Sequence, residues 1–369
     1  MVLKEANVRQ QIADFLSSDR SHISFVPEYE QNHFFLIVAS SRRVEIPELL
    51  RQQSDIVREI TESSPRSRFT IFFDNKFEAN DILLTFLSFN PEFEKMYENG
   101  RLEFRSSEHA KKMWAQDLGQ SVHTITGGSE FIRGYIKGAE RYKPSPEYEV
   151  PTVQIPVSFE GGDLATAIVN GEKTVIIGPQ SVNNTRLYYE RAGYKISNDE
   201  IKEILLHAFN ADKVVLLASE GEEYVRPARI FHIDQAVFFP KDNIAVIVDP
   251  ESIDDEKTRY ALNLYVKHLE KEGFQIVKIP SSYEHVNLYQ AYANSIPIKD
   301  KDGTVKIIMP SFGDQELEGR IKEILEKNGM AVIFVNDITY KSQGNLHCIT
   351  GAFARVFEDS NKVVPVKIG

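Results

Sequence analysis

The chain of 369 residues contains a single cysteine, Cys348, and a single tryptophan. A lone thiol cannot form a disulfide within the chain, so Cys348 is either a small buried hydrophobic residue or a nucleophile. Glycine and polar residues precede it and Ile349-Thr350-Gly351 follows, an environment in which a substrate can approach closely. The scarcity of cysteine is also typical of a reducing compartment, and we expect a cytoplasmic protein.

Long apolar runs are missing as well. No run approaches the roughly 20 residues that are needed to span a bilayer, and residues Met1 to Phe15 lack the continuous apolar segment of a signal peptide. We therefore expect no membrane partner. No glycine-rich phosphate loop follows a predicted strand, which argues against a nucleotide, and we expect no cofactor.

Basic residues are fewer than acidic ones, and the formal net charge is −11. This balance argues against nucleic acid as a partner and is compatible with a cationic ligand. The composition, 42% hydrophobic and 26% charged, is that of a soluble globular protein with a sizeable core. We predict a polar helical segment over residues 1–25 that leads into one domain over residues 26–369.

Hydrophobic periodicity predicts strands and helices that alternate along the chain. The predicted strands are Phe34–Ala39, Phe69–Phe73, Leu102–Phe104, Thr174–Ile177, Val214–Ala218, Gln235–Phe239, Ile244–Val248, Phe274–Ile279, Val305–Met309 and Ala331–Val335. The predicted helices are Ile46–Ile60, Ile82–Phe93, Asp199–Phe209, Asp255–Glu272 and Gln315–Lys327. Gly127 to Pro151 is interpreted as a long polar surface loop. The resulting cycle of strand, strand, helix and strand predicts an α/β fold in which loops from different units converge.

His232 and Asp234 stand two positions apart, a spacing that places both side chains on one face of a strand. They could face one cleft, or be an ordinary hydrogen-bonded pair at a strand end. A third reading adds His347 as the last ligand of a non-haem iron site, with Arg355 for a carboxylate cosubstrate. That class of enzyme needs an all-β double sheet, which the helices of this chain disfavour.

Three further acidic residues are candidates for the same cleft. Glu160 and Asp163 flank Gly161-Gly162, where a tight backbone can bring a carboxylate against a ligand, or where the chain simply turns. Asp117 follows Trp114-Ala115-Gln116 and could equally be a turn aspartate. His347 is next to Cys348, and on a strand the two would point to opposite faces, so we expect a packing or hydrogen-bonding role for His347.

Four motifs occur in a fixed order: Trp114 to Gly119, Phe159 to Asp163, Phe231 to Asp234, and Gly344 to Thr350. Together with Tyr292-Ala293-Asn294 and Ile307 to Asp314, they resemble the guanidine-modifying (pentein) superfamily, and most of all agmatine deiminases and bacterial peptidylarginine deiminases. The resemblance implies a five-bladed α/β propeller of ββαβ units around a central active site, in a single catalytic domain. It covers residues 155–352 well and is weak before about residue 110.

The resemblance also implies roles for individual residues. Cys348 would be the nucleophile and His232 the general acid and base, while Asp234 and Asp117 hold the guanidinium with help from Glu160. Substrate contacts are implied for Trp114, Asp163 and Asn294. The chain departs from the pattern at Gln116, where arginine is usual, and in Gly344-Asn345-Leu346. The aromatic, proline-rich motif found near the N-terminus of agmatine deiminases is not evident.

The implied activity is deimination of a guanidino compound through a covalent thiouronium intermediate. The implied partner is a cationic guanidino small molecule or an arginine side chain, and a homodimer is also conceivable. An amidinotransferase, a methylarginine hydrolase, or a binding protein of the same fold with little turnover are the alternatives. Residues 127–150 could close the site as a lid. The candidates for binding a substrate carboxylate are Arg186, Arg226, Arg229 and Arg355.

Overall fold

The computed structural model describes residues 5–39, 43–74, 76–107, 110, 113–116, 120–124, 129–134, 151–217, 230–300 and 302–353. Within these ranges the helices are α1 (Glu5–Leu16), α2 (Ile46–Ser63), α3 (Ala79–Ser88), α4 (Glu92–Glu98), α5 (Pro179–Glu190), α6 (Asn198–Phe209), α7 (Glu256–Lys271), α8 (Tyr283–Asn287) and α9 (Gln315–Lys327). The strands are β1 (Ile23–Ser24), β2 (His33–Val38), β3 (Arg68–Asp74), β4 (Leu102–Ser107), β5 (Gln120–Thr124), β6 (Ser129–Arg133), β7 (Thr152–Gln154), β8 (Leu164–Val169), β9 (Glu172–Ile177), β10 (Lys213–Leu216), β11 (Val237–Lys241), β12 (Ile244–Val248), β13 (Gln275–Ile279), β14 (Ile296–Lys299), β15 (Val305–Ser311), β16 (Met330–Asn336) and β17 (Thr350–Phe353).

The strands of the described ranges form five small sheets in a mixed α/β fold. Three sheets have three strands each, β8–β10, β11–β13 and β14–β16, and come from consecutive stretches of the chain. In each of them the first two strands are antiparallel and the third runs parallel to the second. At least one helix connects the parallel strands, so the predicted cycle of strand, strand, helix and strand is confirmed there.

The other two sheets join distant parts of the chain. One has the order β17-β2-β3-β4, and in it the last described strand, β17, pairs antiparallel with β2 so that Thr350 faces Leu36. The other has the order β1-β5-β6-β7. Because β17 is anchored on an N-terminal strand, the turn that carries Cys348 is fixed immediately before a sheet.

Side-chain caps set the starts of several helices. The side chains of Asp255 and Asp314 accept hydrogen bonds from the backbone N–H groups of Thr258 (2.7 Å) and Leu317 (3.0 Å) at the starts of α7 and α9. Both helices therefore lie within one residue of their predicted bounds. The single helix predicted over 82–93 is instead the two helices α3 and α4, since the chain bends at Asn90-Pro91. Helix α5 and strands β5 and β8 had not been predicted.

The long loop predicted over 127–151 is wrong at Ser129–Arg133, which forms β6 with all five residues buried. Glu130 is tolerated there because Arg20, itself buried, forms an ion pair with its carboxylate, and His22 contacts the same group. Residues 135–150 lie outside the described residues.

The apolar faces of the helices pack on the sheets. On α2 the predicted stripe Leu49, Leu50, Ile56, Val57 and Ile60 is buried against β2 and the sheet β14–β16. The helices α7 and α9 cover the sheets formed by β11–β16 in the same way. This packing leaves the loops at the strand ends to carry the polar side chains.

Candidate active site

Cys348 lies in a tight turn before β17, after a 3-10 turn at Thr339–Ser342, and only 6% of its surface is exposed. The turn is held by backbone hydrogen bonds from Ile349 to Asn345 (3.3 Å) and from Thr350 to His347 (3.0 Å). The expectation that His347 and Cys348 occupy opposite faces of a strand is therefore wrong. A turn brings the two side chains to the same buried region, as the following contacts show.

Asn294 positions the thiol of Cys348. Its side chain is fully buried, and its Oδ1 accepts the N–H of Cys348 at 3.2 Å while its Nδ2 donates to Sγ at 3.3 Å. Its backbone carbonyl also accepts the N–H of His347 at 3.4 Å. The substrate contact predicted for Asn294 stays a prediction, because all of these bonds hold the nucleophile and its neighbour.

Asp234 is the carboxylate next to the sulfur. The Cys348 thiol donates to Oδ2 across 3.7 Å, and Nδ1 of His347 donates to the same oxygen at 2.9 Å. Asp234 is 6% exposed, and its second oxygen, Oδ1, has no hydrogen-bond partner in the part of the chain that the structure describes. A buried oxygen without a donor is costly, so this atom is a natural acceptor for a cationic ligand.

His347 and Asp234 form a buried ion pair. Burial by itself lowers the pKa of His347, but the hydrogen bond that it donates to Asp234 and the charges of Glu28 and Asp234 outweigh this effect and raise the pKa above its usual value. The hydrogen-bonding role expected for His347 is thus present. The same contact occupies Nδ1 with a carboxylate instead of a metal ion, and no metal-binding group of three or more His, Cys, Asp or Glu occurs in the described ranges.

A second carboxylate–imidazole pair lies nearer to solvent. His232 Nε2 and Glu160 Oε2 are 2.7 Å apart, with the side chains 12% and 35% exposed. Each residue directly precedes a 3-10 turn, Gly161–Asp163 for Glu160 and Ile233–Gln235 for His232. The expectation that His232 and Asp234 lie on a strand is therefore wrong.

The two side chains nevertheless converge, at Gly162. A Cβ atom on Gly162 would lie 2.8 Å from both His232 Nδ1 and Asp234 Oδ2. Only glycine fits between them, which explains the close approach that the Gly161-Gly162 pair had suggested. His232 thus lies on the same side of Gly162 as the carboxylate that contacts Cys348.

Asp163 holds the turn that carries His232 and Asp234 in place. It is buried, and its two oxygens accept the backbone N–H groups of Ile233 (3.2 Å) and Ser181 (2.8 Å). Burial raises the pKa of Asp163 to about 6, although the charge of His232 and these hydrogen bonds act in the opposite direction. Its contacts fix the His232–Asp234 turn against α5, and the predicted substrate contact of Asp163 remains untested.

Glu28 is a residue of this site that the sequence did not reveal. It lies in a 3-10 turn at Glu28–Glu30, is largely buried, and accepts a hydrogen bond from Gln120 Nε2 at 3.1 Å. Burial raises its pKa to about 7, against the lowering effect of His347. Glu28, Asp234 and His347 line one small, mostly apolar cavity with room for about one water molecule. The only sequence signal was a charged residue among Phe25, Val26 and Tyr29.

A buried network of hydrogen bonds holds the turn that carries Cys348, which we call the nucleophile turn. Asn345 donates to Asp337 Oδ2 at 2.8 Å and accepts the N–H of Ala291 at 3.2 Å. Asp337 Oδ1 accepts hydrogen bonds from Gln52 Nε2 (2.9 Å) and from the Thr339 hydroxyl (2.6 Å). Asn345, which departs from the family pattern, therefore has a structural function in this chain.

Trp114 and Gln116, from the first of the four motifs, contact the same turn. The N–H of Gln116 donates to the Cys348 carbonyl at 3.1 Å, and the ring of Trp114 lies against Gly344, where a Cβ atom would be 2.6 Å from it. The candidates Asp117, Arg226, Arg229 and Arg355 lie outside the described residues. Arg186 donates to Asn198 at 2.6 Å, at the start of α6.

Comparison with known proteins bears on the family and the fold of this chain. A model of the Porphyromonas-type peptidyl-arginine deiminases matches residues 46–353. Agmatine deiminase of C. jejuni is 18% identical, with a TM-score of 0.62 over 91% of this chain and 97% of that one. Agmatine deiminase of Enterococcus faecalis is 15% identical, with a TM-score of 0.61 over 91% of this chain and 97% of that one. No curated protein sequence matches significantly. At these identities the solved structures establish the fold.

Of the helices that the structure describes, none is long and apolar enough to cross a bilayer.

Proposed function

Because the chain belongs to the family of Porphyromonas-type peptidyl-arginine deiminases, we propose that it is a cysteine hydrolase that deiminates a guanidino compound. The membership in the guanidine-modifying superfamily that its motifs predict is thereby confirmed. The proposal includes the arrangement of the five sheets as blades around the site, which the strand arrangement shared by the three three-stranded sheets supports.

One observation carries the proposal: a buried carboxylate contacts the thiol and keeps one oxygen unpartnered. Asp234 Oδ2 lies 3.7 Å from Cys348 Sγ, and Oδ1 has no hydrogen-bond partner among the described residues. A guanidinium is a planar cation with paired N–H donors that match a carboxylate. Bound on Asp234, it would present its carbon beside the sulfur with its plane fixed, as attack requires.

The contacts of the thiol indicate how it is activated. In the free protein Cys348 donates to Asp234 and accepts from Asn294, the pattern of a protonated thiol. A bound guanidinium takes over Asp234 and adds positive charge, which favours the thiolate, and the Asn294 amide remains to stabilise it. The rate of Cys348 alkylation across pH, with and without a guanidine ligand, tests this step. Identical profiles would contradict it.

His232 supplies the proton transfers. Attack of the sulfur on the guanidinium carbon gives a tetrahedral adduct, and the proton held by the His232–Glu160 pair goes to one nitrogen, which leaves as ammonia. The remaining thiouronium keeps the carbon–sulfur bond. His232 then accepts a proton from water, the resulting hydroxide adds to the same carbon, and the sulfur leaves. The product is a ureido compound, and the thiol is regenerated.

A product assay tests the function and identifies the substrate. Agmatine, free arginine and an arginine-containing peptide share the guanidinium and differ only beyond it, so each is assayed for ammonia and for a ureido product. We expect both products in equal amounts from at least one substrate. Release of an alkylamine, or transfer of the amidine group to an acceptor, would identify the methylarginine hydrolase or the amidinotransferase instead.

The variant Cys348→Ser is the matched control. We expect it to release no measurable ammonia, because a serine hydroxyl is a much weaker nucleophile at this site. Its thermal unfolding should match that of the wild type, since serine can keep both hydrogen bonds of the thiol. Undiminished ammonia release from this variant would refute a cysteine hydrolase.

A further inference from the structure

Tyr289 has a left-handed backbone conformation, with a φ of 61°, two residues after the end of the short helix α8. Five described residues other than glycine have positive φ, and three of them are asparagine, which tolerates this region. The chain reverses here through hydrogen bonds from Tyr289 to Val286 (3.1 Å) and from Gln290 to His285 (2.9 Å). Glycine is favoured where a chain leaves a helix in this way, so a tyrosine at this position is conformationally costly.

The ring of Tyr289 makes a contact that glycine could not make. It stacks on Phe231, with the ring centroids 5.6 Å apart and the planes inclined by 10°. Phe231 directly precedes His232, and its N–H donates to Gln235 Oε1 at 2.7 Å. Since Phe231 is fixed to the turn that carries His232 and Asp234, the stack reports on the position of that turn.

The other side of the stack leads to the nucleophile. Two residues after Tyr289, the N–H of Ala291 donates to Asn345 Oδ1 at 3.2 Å, and Asn345 precedes Cys348 in its turn. Asn294, in the same segment, contacts both the N–H and the sulfur of Cys348. The two rings therefore join the segment that carries His232 to the segment that holds Cys348.

We propose that the Phe231–Tyr289 stack is a positioning clasp that sets the separation between the His232 imidazole and the Cys348 thiol. The inference rests on the proposed function, in which both groups act on one guanidinium carbon. A displacement of about 1 Å between such groups costs on the order of 100-fold in rate. Tyr289 thus keeps a strained backbone because its ring fixes the site.

The first test compares three variants of Tyr289. We expect Tyr289→Phe to keep the wild-type rate, because the phenyl ring preserves the stack. Tyr289→Ala and Tyr289→Gly should both lose about 10- to 100-fold in kcat, because the ring that positions the turn is lost. The change in KM should be smaller, because Asp234, the carboxylate that binds the guanidinium, is retained. If the alanine and glycine variants changed only in KM, or kept the wild-type kcat, the clasp would be overturned. Leu288→Ala, at the half-exposed neighbour, is the control and should match the wild type.

The second test separates strain from the contact. Alanine and glycine both lack the ring, so they differ only in how well they tolerate positive φ. We expect Tyr289→Gly to melt about 1 to 2 °C above Tyr289→Ala while being no more active. The reverse order of melting temperatures would overturn the strained backbone, because glycine destabilises ordinary conformations.

The third test does not depend on turnover. Tyr289→Ala should accelerate amide hydrogen exchange in residues 230–236, on the far side of the stack, as well as around position 289. Acceleration confined to residues 286–292 would overturn the clasp. If the wild type released no ammonia from any guanidino substrate, the proposed function would fail, while the melting and exchange results would still decide whether the stack joins the two segments.

Activity of the Phe231 variants completes the design. The kcat of Phe231→Leu should fall to a similar degree as that of Tyr289→Ala. The variant that combines both substitutions should have a kcat no lower than that of the less active single variant. Independent, multiplying losses would show that the two rings act separately and would contradict the clasp.

Discussion

The site contains two carboxylate–imidazole pairs of similar length in different surroundings. Glu160 and His232 are 2.7 Å apart with side chains 35% and 12% exposed, whereas Asp234 and His347 are 2.9 Å apart with side chains 7% and 11% exposed. A partly exposed pair can exchange protons with water and substrate, whereas removing one charge of a buried pair leaves the other charge unpaired away from water, at a high cost. The same chemistry thus serves proton transfer in one place and fixed geometry in the other.

The neighbours of each pair support this division. Asp234 of the buried pair contacts the thiol, and its partner His347 lies in the nucleophile turn held by Asn294. The exposed pair is set by two short turns that Asp163 and Gly162 hold together. Exchanging one side chain in each pair should therefore affect different quantities, activity in one case and stability in the other.

The largest effect is expected at the exposed pair. His232→Asn removes the group that transfers protons, and ammonia release should fall by about 10²- to 10⁴-fold. Unfolding by urea should change little, because the carboxylate left without its partner, Glu160, is 35% exposed and can be hydrated. Glu160→Gln keeps a hydrogen-bond acceptor and should lose less activity than His232→Asn. A large loss of stability with little loss of activity would reverse the proposed division between the pairs.

A change at the buried pair should act mainly on stability. His347→Ala leaves the Asp234 carboxylate buried without its imidazole donor and should lower the free energy of unfolding by about 1–3 kcal/mol. His347→Asn can place an amide N–H where Nδ1 now lies and should recover part of that loss. Urea unfolding of the two variants measures the difference. Equal stability of the alanine variant and the wild type would show that the pair contributes nothing to the fold.

The features that depend on neighbouring residues, such as the ends of helices, were predicted well from the sequence. The helices α7 and α9 were placed within a residue because Asp255 and Asp314 cap them and glycines follow them. Cys348 was found because it is the only cysteine of the sequence, and His232 because it stands two positions before Asp234 in one of the four motifs. Both lie near Asp234, in turns where strands had been expected.

Residues that act through distant contacts could not be predicted. Gln52 and Asp337, which support the nucleophile turn, are 285 positions apart, and neither stands in a recognisable motif. Strand β6 was missed because its Glu130 is polar in sequence and is neutralised only by Arg20 in the folded protein. Glu28 belongs to the same class, since its proximity to Asp234 and His347 arises from the sheet arrangement.

The smallest effect is expected at Glu28, which lies beside the buried pair of Asp234 and His347. Because folding holds its pKa near 7, above the ordinary 4.5, the neutral carboxyl is favoured in the folded protein. That contribution to stability is complete below about pH 4.5 and is lost as the pH rises through about 7.

Glu28→Gln, which is neutral at every pH, should therefore unfold like the wild type near pH 4.5 and be more stable at pH 8, by on the order of 1 kcal/mol. Urea unfolding at a series of pH values measures this difference. Glu30→Gln is the matched control, because Glu30 is half-exposed and pairs with Lys299 at the surface. A glutamine variant of Glu28 that is less stable at pH 8 would show that the charge of Glu28 is needed to hold His347, and that the buried site is a triad of charges with Glu28 as its third member.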